Sequence, residues 1–322
     1  MVYTSSICAR VARFFYLLYC VRMKPKVLVI LGPTTSGKSS LGINLAKIFN
    51  GQVISADSRQ VYKGLDIGTG KVTKKEMQGV PHYLLDVADP KNIFNVSDFK
   101  KLAEIAIAEI IQKNKLPIIV GGTGFYIDAI TGKSSLPEVP PNLKLRTQLD
   151  KFSTEKLFSL LQKKDPARAK SIDTKNKIRL IRALEIIEAI GKVPKIKKSK
   201  SPYEFIFIGL TLPQEKLDIK IKQRLTERLD QGMIEEAELL HTQGLSYKRM
   251  NTLGLEYRYL ALYLEKKITK EEMIDKLFIE IRKYSKRQMT YFKTNKQIQW
   301  FDPTEAEKIL TFVHGAIQGS QG

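Results

Sequence analysis

Residues 30–46, "ILGPTTSGKSSLGINLA", carry the reading of the fold. They continue a run of apolar residues, "KVLVILG" at 26–32, of the kind found in a strand buried on both faces. Within them, Gly32-Pro33-Thr34-Thr35-Ser36-Gly37-Lys38-Ser39 fits G-x-x-x-x-G-K-[ST]. The two glycines let the backbone turn so that successive N–H groups point at one anion. Lys38 adds a cation, the Ser39 hydroxyl is a ligand for Mg²⁺, and the helix that follows adds its dipole. The motif announces a polyphosphate. It does not say which one, or what becomes of it.

Outward from this point the chain keeps alternating. "QVISAD", "HYLLDV" and "LPIIVGG" repeat the short β-branched strand signature. Between the last two, "NVSDFKKLAEIAIAEIIQKNK" has helical apolar spacing, with Asn95 or Ser97 as N-cap. Strands alternating with helices predict an α/β fold with a parallel sheet covered on both faces. The pattern breaks at "SSLPEVPPNLK", where Pro137, Pro140 and Pro141 mark a loop. Residues 141–200 then read as a basic helical insertion, and "FIFIGLTL" at 205–212 returns to the sheet. Helices rich in Arg and Lys, with interleaved Tyr and Phe, follow to about residue 292. The expected division is a P-loop NTPase-like core at 23–140 and 201–302, the insertion at 141–200, and a tail at 303–322 whose end, "HGAIQGSQG", looks frayed.

Composition narrows the class. In 322 residues, 54 Lys and Arg face 33 Asp and Glu, for a net charge of +21, so a polyanionic partner is expected. The bland alternative is a lysine-rich proteome. Both cysteines, Cys8 and Cys20, lie near the start, which excludes a disulfide framework or a cysteine zinc site for the body. A reducing, cytoplasmic location is expected. Residues 1–22 combine an apolar run with Arg10 and Arg13, too charged to span a bilayer. Either Met23 is the true start or these residues are a dispensable extension, with organellar targeting as the lesser alternative.

Three further constellations carry chemistry. Asp57, at the end of "VISAD", is a Mg²⁺ ligand, a general base beside the phosphates, or a solvated turn residue. Asp86 in "LLDV" is a weaker metal neighbour. The glycines of "VGGTGFY" at 120–126 serve either a tight strand–helix connection or a close approach to ligand, with Thr123 offering a hydroxyl. Arg179 and Arg182 share a helical face in "NKIRLIRALEII", and Lys286, Arg287 and Gln288 stand beside aromatics in "YSKRQMTYFK". Basic runs interleaved with aromatics suit a nucleic-acid backbone.

Taken together, "GPTTSGKS", "ISADSRQVYKGLDIGTGK", "PHYLLDV", "VGGTGFY", "RLIRALEI" and "KRQMTYF" resemble the bacterial-type tRNA dimethylallyltransferases, or tRNA isopentenyltransferases. The resemblance runs from Lys26 to about Asp302. It implies transfer of a dimethylallyl group from dimethylallyl diphosphate, with Mg²⁺, to N6 of the adenosine (A37) just 3′ of the anticodon, in tRNAs reading codons that begin with U. The loop at 32–39 would then cradle a leaving group. By the same resemblance Asp57 is the general base, Arg224 and Thr34 meet the diphosphate, and Ser39 is the loop's terminal hydroxyl. Asp57, Ser58, Arg59 and Gln60 recognise the target base. Thr123, Arg146, Ile178, Arg179, Leu180, Ile181 and Arg182 touch the tRNA anticodon arm. A cytoplasmic monomer with no membrane association is expected.

Two departures stand out. "NTLGLEYRYL" replaces a glycine-tyrosine-lysine-glutamate turn, and Tyr291 stands where Trp is common. The competing readings are a P-loop small-molecule kinase, which leaves "DSRQVYKG" and the charge unexplained, and a GTPase-like RNA-binding module, for which no N-K-x-D is found.

Overall fold

Residues 24–133, 137, 139–194 and 201–319 are described by a computed structural model. The expected extension at 1–22, with Cys8, Cys20 and the alternative start Met23, lies outside the described residues. The chain divides into two compact units, Gly132–Ser199 and the segments flanking it.

The larger unit is built on six strands: β1 (Lys26–Leu31), β2 (Gly51–Ser55), β3 (His82–Tyr83), β4 (Leu116–Gly121), β5 (Glu204–Leu210) and β6 (Gln299–Phe301). They form one sheet in the order β3-β2-β4-β1-β5-β6, and every pairing is parallel. Its first helices are α1 (Lys38–Ile48), the single turn α2 (Lys74–Met77), α3 (Val96–Gln112) and α4 (Gly124–Ile130).

The continuous apolar reading of "KVLVIL" follows from its burial. Val27, Val29 and Leu31 face a core that includes Phe99, Ala103 and Ile107 of α3. Leu28 and Ile30 face the opposite core, with Ile43, Leu45 and Ala46 of α1. With period-two side chains, both faces are apolar only if both are covered. Asn95 caps α3 by accepting from the Ser97 and Asp98 backbone N–H groups, while the Asp98 carboxylate accepts from the Asn95 N–H in return.

The insertion, described by itself, contains α5 (Leu143–Leu149), α6 (Thr154–Lys164), α7 (Pro166–Ala169) and α8 (Lys177–Ile190), and no strand among its described residues. Leu157, Leu161, Leu180 and Leu184 give it a core of its own. The main unit resumes with α9 (Gln214–Asp230), α10 (Met233–Thr242), α11 (Tyr247–Met250), α12 (Leu255–Leu264), α13 (Lys270–Phe292) and α14 (Ala306–Gln318). Helices α9 to α13 share a third apolar cluster with Val61, Tyr62 and Leu65. Among the described residues, no helix is long and apolar enough to cross a membrane.

Two sequence expectations change. "HYLLDV" gives a strand of only two residues, because Leu84 and Asp86 take positive φ angles of 64° and 56°, which end the extended run. The end "HGAIQGSQG", expected to fray, continues as helix to Gln318. Ile309 and Val313 lie one helical turn apart and both are buried against the sheet, so α14 is tied into the core.

Candidate active site

The ends of β1, β2 and β4 converge where the chain's order across the sheet reverses, the usual position for a ligand crevice in such sheets. The loop after β1 runs from Gly32 to Gly37, whose φ of 89° precedes α1 directly. A cavity of about 310 Å³ opens there, bordered by Thr34, Lys38, Ser39, Asp57, Arg224 and Arg228, with Leu255, Ile281 and Tyr284 supplying apolar surface.

Three cations meet at this cavity. Lys38 Nζ donates to the Pro33 carbonyl oxygen at 2.5 Å. Burial, then the Arg224 charge, lower the lysine pKa to about 7, against an upward pull from Asp57. Arg224 Nη2 donates to the Gly70 carbonyl at 3.1 Å, and burial followed by the charge of Arg228 lowers its pKa to about 10. Arg228, itself buried, donates to the Gly68 carbonyl and to Glu256, both at 3.3 Å. Its spacing of one helical turn from Arg224 was visible in "KIKQRLTERL", yet the sequence reading passed over it. Burial raises the Tyr284 phenol well above its ordinary range, so the ring enters the site neutral.

Asp57 begins the turn after β2. Its Oδ1 accepts from the backbone N–H groups of Arg59 at 2.8 Å and Gln60 at 3.4 Å, which leaves Oδ2 without a protein donor in that turn. The turn is braced from the loop after β4: Thr123 Oγ1 accepts the Ser58 N–H at 3.0 Å. Gln60 Nε2 donates to the Gly70 carbonyl at 3.2 Å. Asp57, Ser58, Arg59, Gln60 and Thr123 thus form one ledge beside the phosphate loop. Asp86 stands apart, paired with Lys71 at 2.5 Å.

Gln288 has a role that the sequence reading did not assign. Its Oε1 accepts the Thr34 N–H at 2.8 Å and its Nε2 donates to the Gly122 carbonyl at 2.9 Å, so a buried amide on α13 joins the two glycine turns. A Cβ at position 122 would collide with that amide. The close approaches at "VGGTGFY" are to protein groups: Gly121 to the Ala56 backbone, Gly122 to Gln288 and Gly124 to the Tyr291 ring.

Within the insertion, the residues expected to meet RNA separate into two sets. Leu180 and Ile181 have their side chains buried in the core of that unit, which leaves their backbone for the expected tRNA contact. Arg146 Nε and Nη2 each donate to Glu185 at 2.8 Å, and Arg182 pairs with the same carboxylate. Glu185 is 1% exposed. Burial alone would raise its pKa, but the donors from Arg146, Arg182 and the Asn142 backbone outweigh it and hold the carboxylate at about 2. Ile178 is 80% exposed and the Arg179 side chain 64%. Both side chains are exposed, with Arg179 lying 3.8 Å from Asp173.

The donors at the cavity suit Mg²⁺ held mainly by phosphate oxygens and water. Mg²⁺ takes only one or two protein oxygens in phosphate sites, and the Ser39 hydroxyl and Asp57 carboxylate both border this cavity. Among the described residues, no group of three or more His, Cys, Asp or Glu side chains stands ready to cage an ion unaided.

A model of the IPP transferase family matches residues 60–295. The chain belongs to this family. The tRNA dimethylallyltransferase of Anoxybacillus flavithermus is 40% identical to it over 305 residues, covering 91% of this chain and 97% of the relative. That of Halalkalibacterium halodurans is 39% identical over 309 residues, covering 92% and 98%. Among solved structures, a full-length tRNA isopentenylpyrophosphate transferase from Bacillus halodurans aligns with a TM-score of 0.70 at 37% identity, over 92% of this chain and 98% of that one. A eukaryotic dimethylallyltransferase acting on tRNA aligns with a TM-score of 0.80 at 25% identity, over 92% and 80%. Membership of the IPP transferase family sets aside the kinase and GTPase-like readings.

Proposed function

We propose that this protein transfers a dimethylallyl group from dimethylallyl diphosphate to N6 of A37 in tRNAs that read codons beginning with U, releasing inorganic diphosphate. The observation that carries the reading is the meeting of Lys38, Arg224 and Arg228 with the carboxylate of Asp57 at one cavity that also has an apolar wall. A diphosphate suits the cations and a short isoprenoid suits Leu255, Ile281 and Tyr284. What its relatives are named for supports the same chemistry.

In the reaction, the N6 lone pair forms a bond to C1 of the allyl group as the C1–O bond breaks, and that bond's electron pair leaves with the diphosphate. The growing charge is met by Lys38, by loop N–H groups and by the two arginines, all positioned beforehand. The Ser39 hydroxyl would help hold Mg²⁺, which would supply further charge neutralisation. The adenine amine is a poor nucleophile because its lone pair is delocalised into the ring. Asp57 accepts its proton as the C–N bond forms, through the Oδ2 that the turn leaves open. Ile178 and Arg179 offer the insertion's RNA contacts, while Arg146 and Arg182 hold that unit's shape.

Nucleoside mass spectrometry of tRNA incubated with the protein, dimethylallyl diphosphate and Mg²⁺, without ATP, tests the reading. N6-(dimethylallyl)adenosine at position 37 is the expected product. Phosphoryl transfer from ATP to a small acceptor, with no prenylated adenosine, would overturn it.

A further inference from the structure

Residues 65–71, "LDIGTGK", form an arch between the cavity and the helices α10 and α12. The inner side of the arch turns its N–H groups onto Glu236. Asp66 and Ile67 donate to Oε2 at 3.0 and 2.7 Å, and Gly68 donates to Oε1 at 2.9 Å. The hydroxyl of fully buried Tyr257 donates to the same Oε1 at 2.5 Å. Four donors thus converge on one carboxylate, and charge-assisted bonds of this kind are the strong ones. The outer side turns carbonyls toward the cavity, where Gly68 holds Arg228 and Gly70 holds Arg224.

The two glycines fit this design. A Cβ on Gly68 would come within 2.8 Å of the Tyr257 ring. Gly70 has a φ of 58°, and a Cβ there would run into the guanidiniums of both arginines. Glu236 itself does not border the cavity. Its influence passes through one rigid stretch of backbone.

We propose that Glu236, assisted by Tyr257, is a positioning residue for the diphosphate. By fixing the arch it sets the direction of Arg224 and Arg228, an inference that rests on reading the cavity as a diphosphate site. An amide at 236 keeps the shape but turns an NH₂ group toward at least one backbone N–H, so the four-donor arrangement cannot form.

The test uses the full chain and the variants Glu236→Gln and Tyr257→Phe, the second keeping the ring against Gly68 while losing one of the four bonds. Inorganic diphosphate is titrated calorimetrically with Mg²⁺ present, KM is measured separately for dimethylallyl diphosphate and for tRNA, and thermal melting is recorded. Glu236→Gln should weaken diphosphate binding and raise the donor KM by about 10-fold to 100-fold, taking the scale from residues that orient metal ligands in the same indirect way. The tRNA KM at fixed salt should stay within about 2-fold, since binding there depends chiefly on phosphate contacts elsewhere. Tyr257→Phe should shift the same two quantities in the same direction by less, and it carries the test alone if Glu236→Gln fails to fold. Variants that melt earlier yet bind diphosphate like the parent would overturn the proposal, leaving Glu236 as a fold brace. A parent protein that binds no diphosphate would instead overturn the reading of the cavity, and this inference with it.

Discussion

Binding of diphosphate should draw a proton onto Lys38, and the amount follows from the surroundings of the lysine. Burial and the neighbouring Arg224 bring its pKa to about 7. At pH 8 about one lysine in ten is then charged, and at pH 6 about nine in ten. An anion in the loop favours the ammonium and lifts the pKa back toward its ordinary value. Occupancy at pH 8 should therefore take up nearly one proton, about 0.9, whereas at pH 6 the lysine contributes only about 0.1. The direction is fixed: the ligand-free site holds a lowered pKa, so uptake grows as pH rises through 7 and ends near the pKa of the complex. Calorimetry with inorganic diphosphate in buffers of differing ionisation enthalpy reads the proton count. Diphosphate has titrations of its own, so the control is Lys38→Arg, whose side chain stays charged throughout. The difference between parent and variant isolates the lysine. Equal proton counts for the two proteins at pH 8 would refute the reasoning.

Asp57→Asn keeps the turn acceptor but removes the base, so single-turnover transfer at saturating tRNA should fall by roughly 10²–10⁴-fold with diphosphate binding intact, as rapid-quench assays would report; unchanged transfer would demote Asp57 to positioning. Gly70→Ala should weaken inorganic diphosphate binding at least 10-fold, because its methyl group meets both guanidiniums. Arg179→Glu should flatten the salt dependence of tRNA binding, each lost phosphate contact changing the log–log slope by about 0.7 to 0.9, and filter binding between 50 and 200 mM salt, about the range where such slopes are read, decides this. Glu185→Gln should destabilise the insertion by about 3 kcal/mol, the lower end for a broken buried pair because both arginines keep partial exposure, with hydrogen exchange over α5 and α8 as the readout.

The main architecture was legible because its signals are local. A strand buried on both faces shows itself as an unbroken apolar run, and the phosphate loop must contain its glycines, lysine and serine in fixed order. Asn95 was readable as a cap because its partners lie within three residues. What escaped was long-range. Gln288 reaches Thr34 across 254 residues and Glu236 reaches Asp66 across 170, and nothing near either side chain in the sequence hints at those partners. The pair Arg179 and Arg182 shows the opposite error. Helical spacing put both on one face, yet three residues further on Glu185 captures Arg182 in the interior, while Arg179 stays exposed beside Asp173 at 3.8 Å. Spacing gives direction; only the folded chain says which charge is already paired. The short β6 and α14 were missed because three strand residues and one apolar helical stripe carry little signal without the sheet edge they cover.

The choice of partners for the cavity's cations has its own chemical logic. Lys38 is held by the Pro33 carbonyl and Arg224 by the Gly70 carbonyl, both neutral acceptors that orient a cation without cancelling its charge. Had carboxylates done this work, the positive field would have been spent before the ligand arrived, and diphosphate would have had to displace them. Arg228 is the exception, with Glu256 at 3.3 Å, and that carboxylate also supports Arg224 from nearby. The cost of this arrangement appears in the lowered pKa values of Lys38 and Arg224, set first by burial and then by the charge of a neighbouring arginine, and an anion in the site offsets both. Such a site stabilises charge that grows during the reaction, because its donors need no rearrangement when the charge appears. It follows that adding a carboxylate beside the arginines should be worse than crowding them with a methyl group. Gly70→Asp should depress transfer more than Gly70→Ala, since its carboxylate would neutralise the guanidiniums as well as displace them. Equal single-turnover rates for the two variants would show that steric displacement alone governs the arginines.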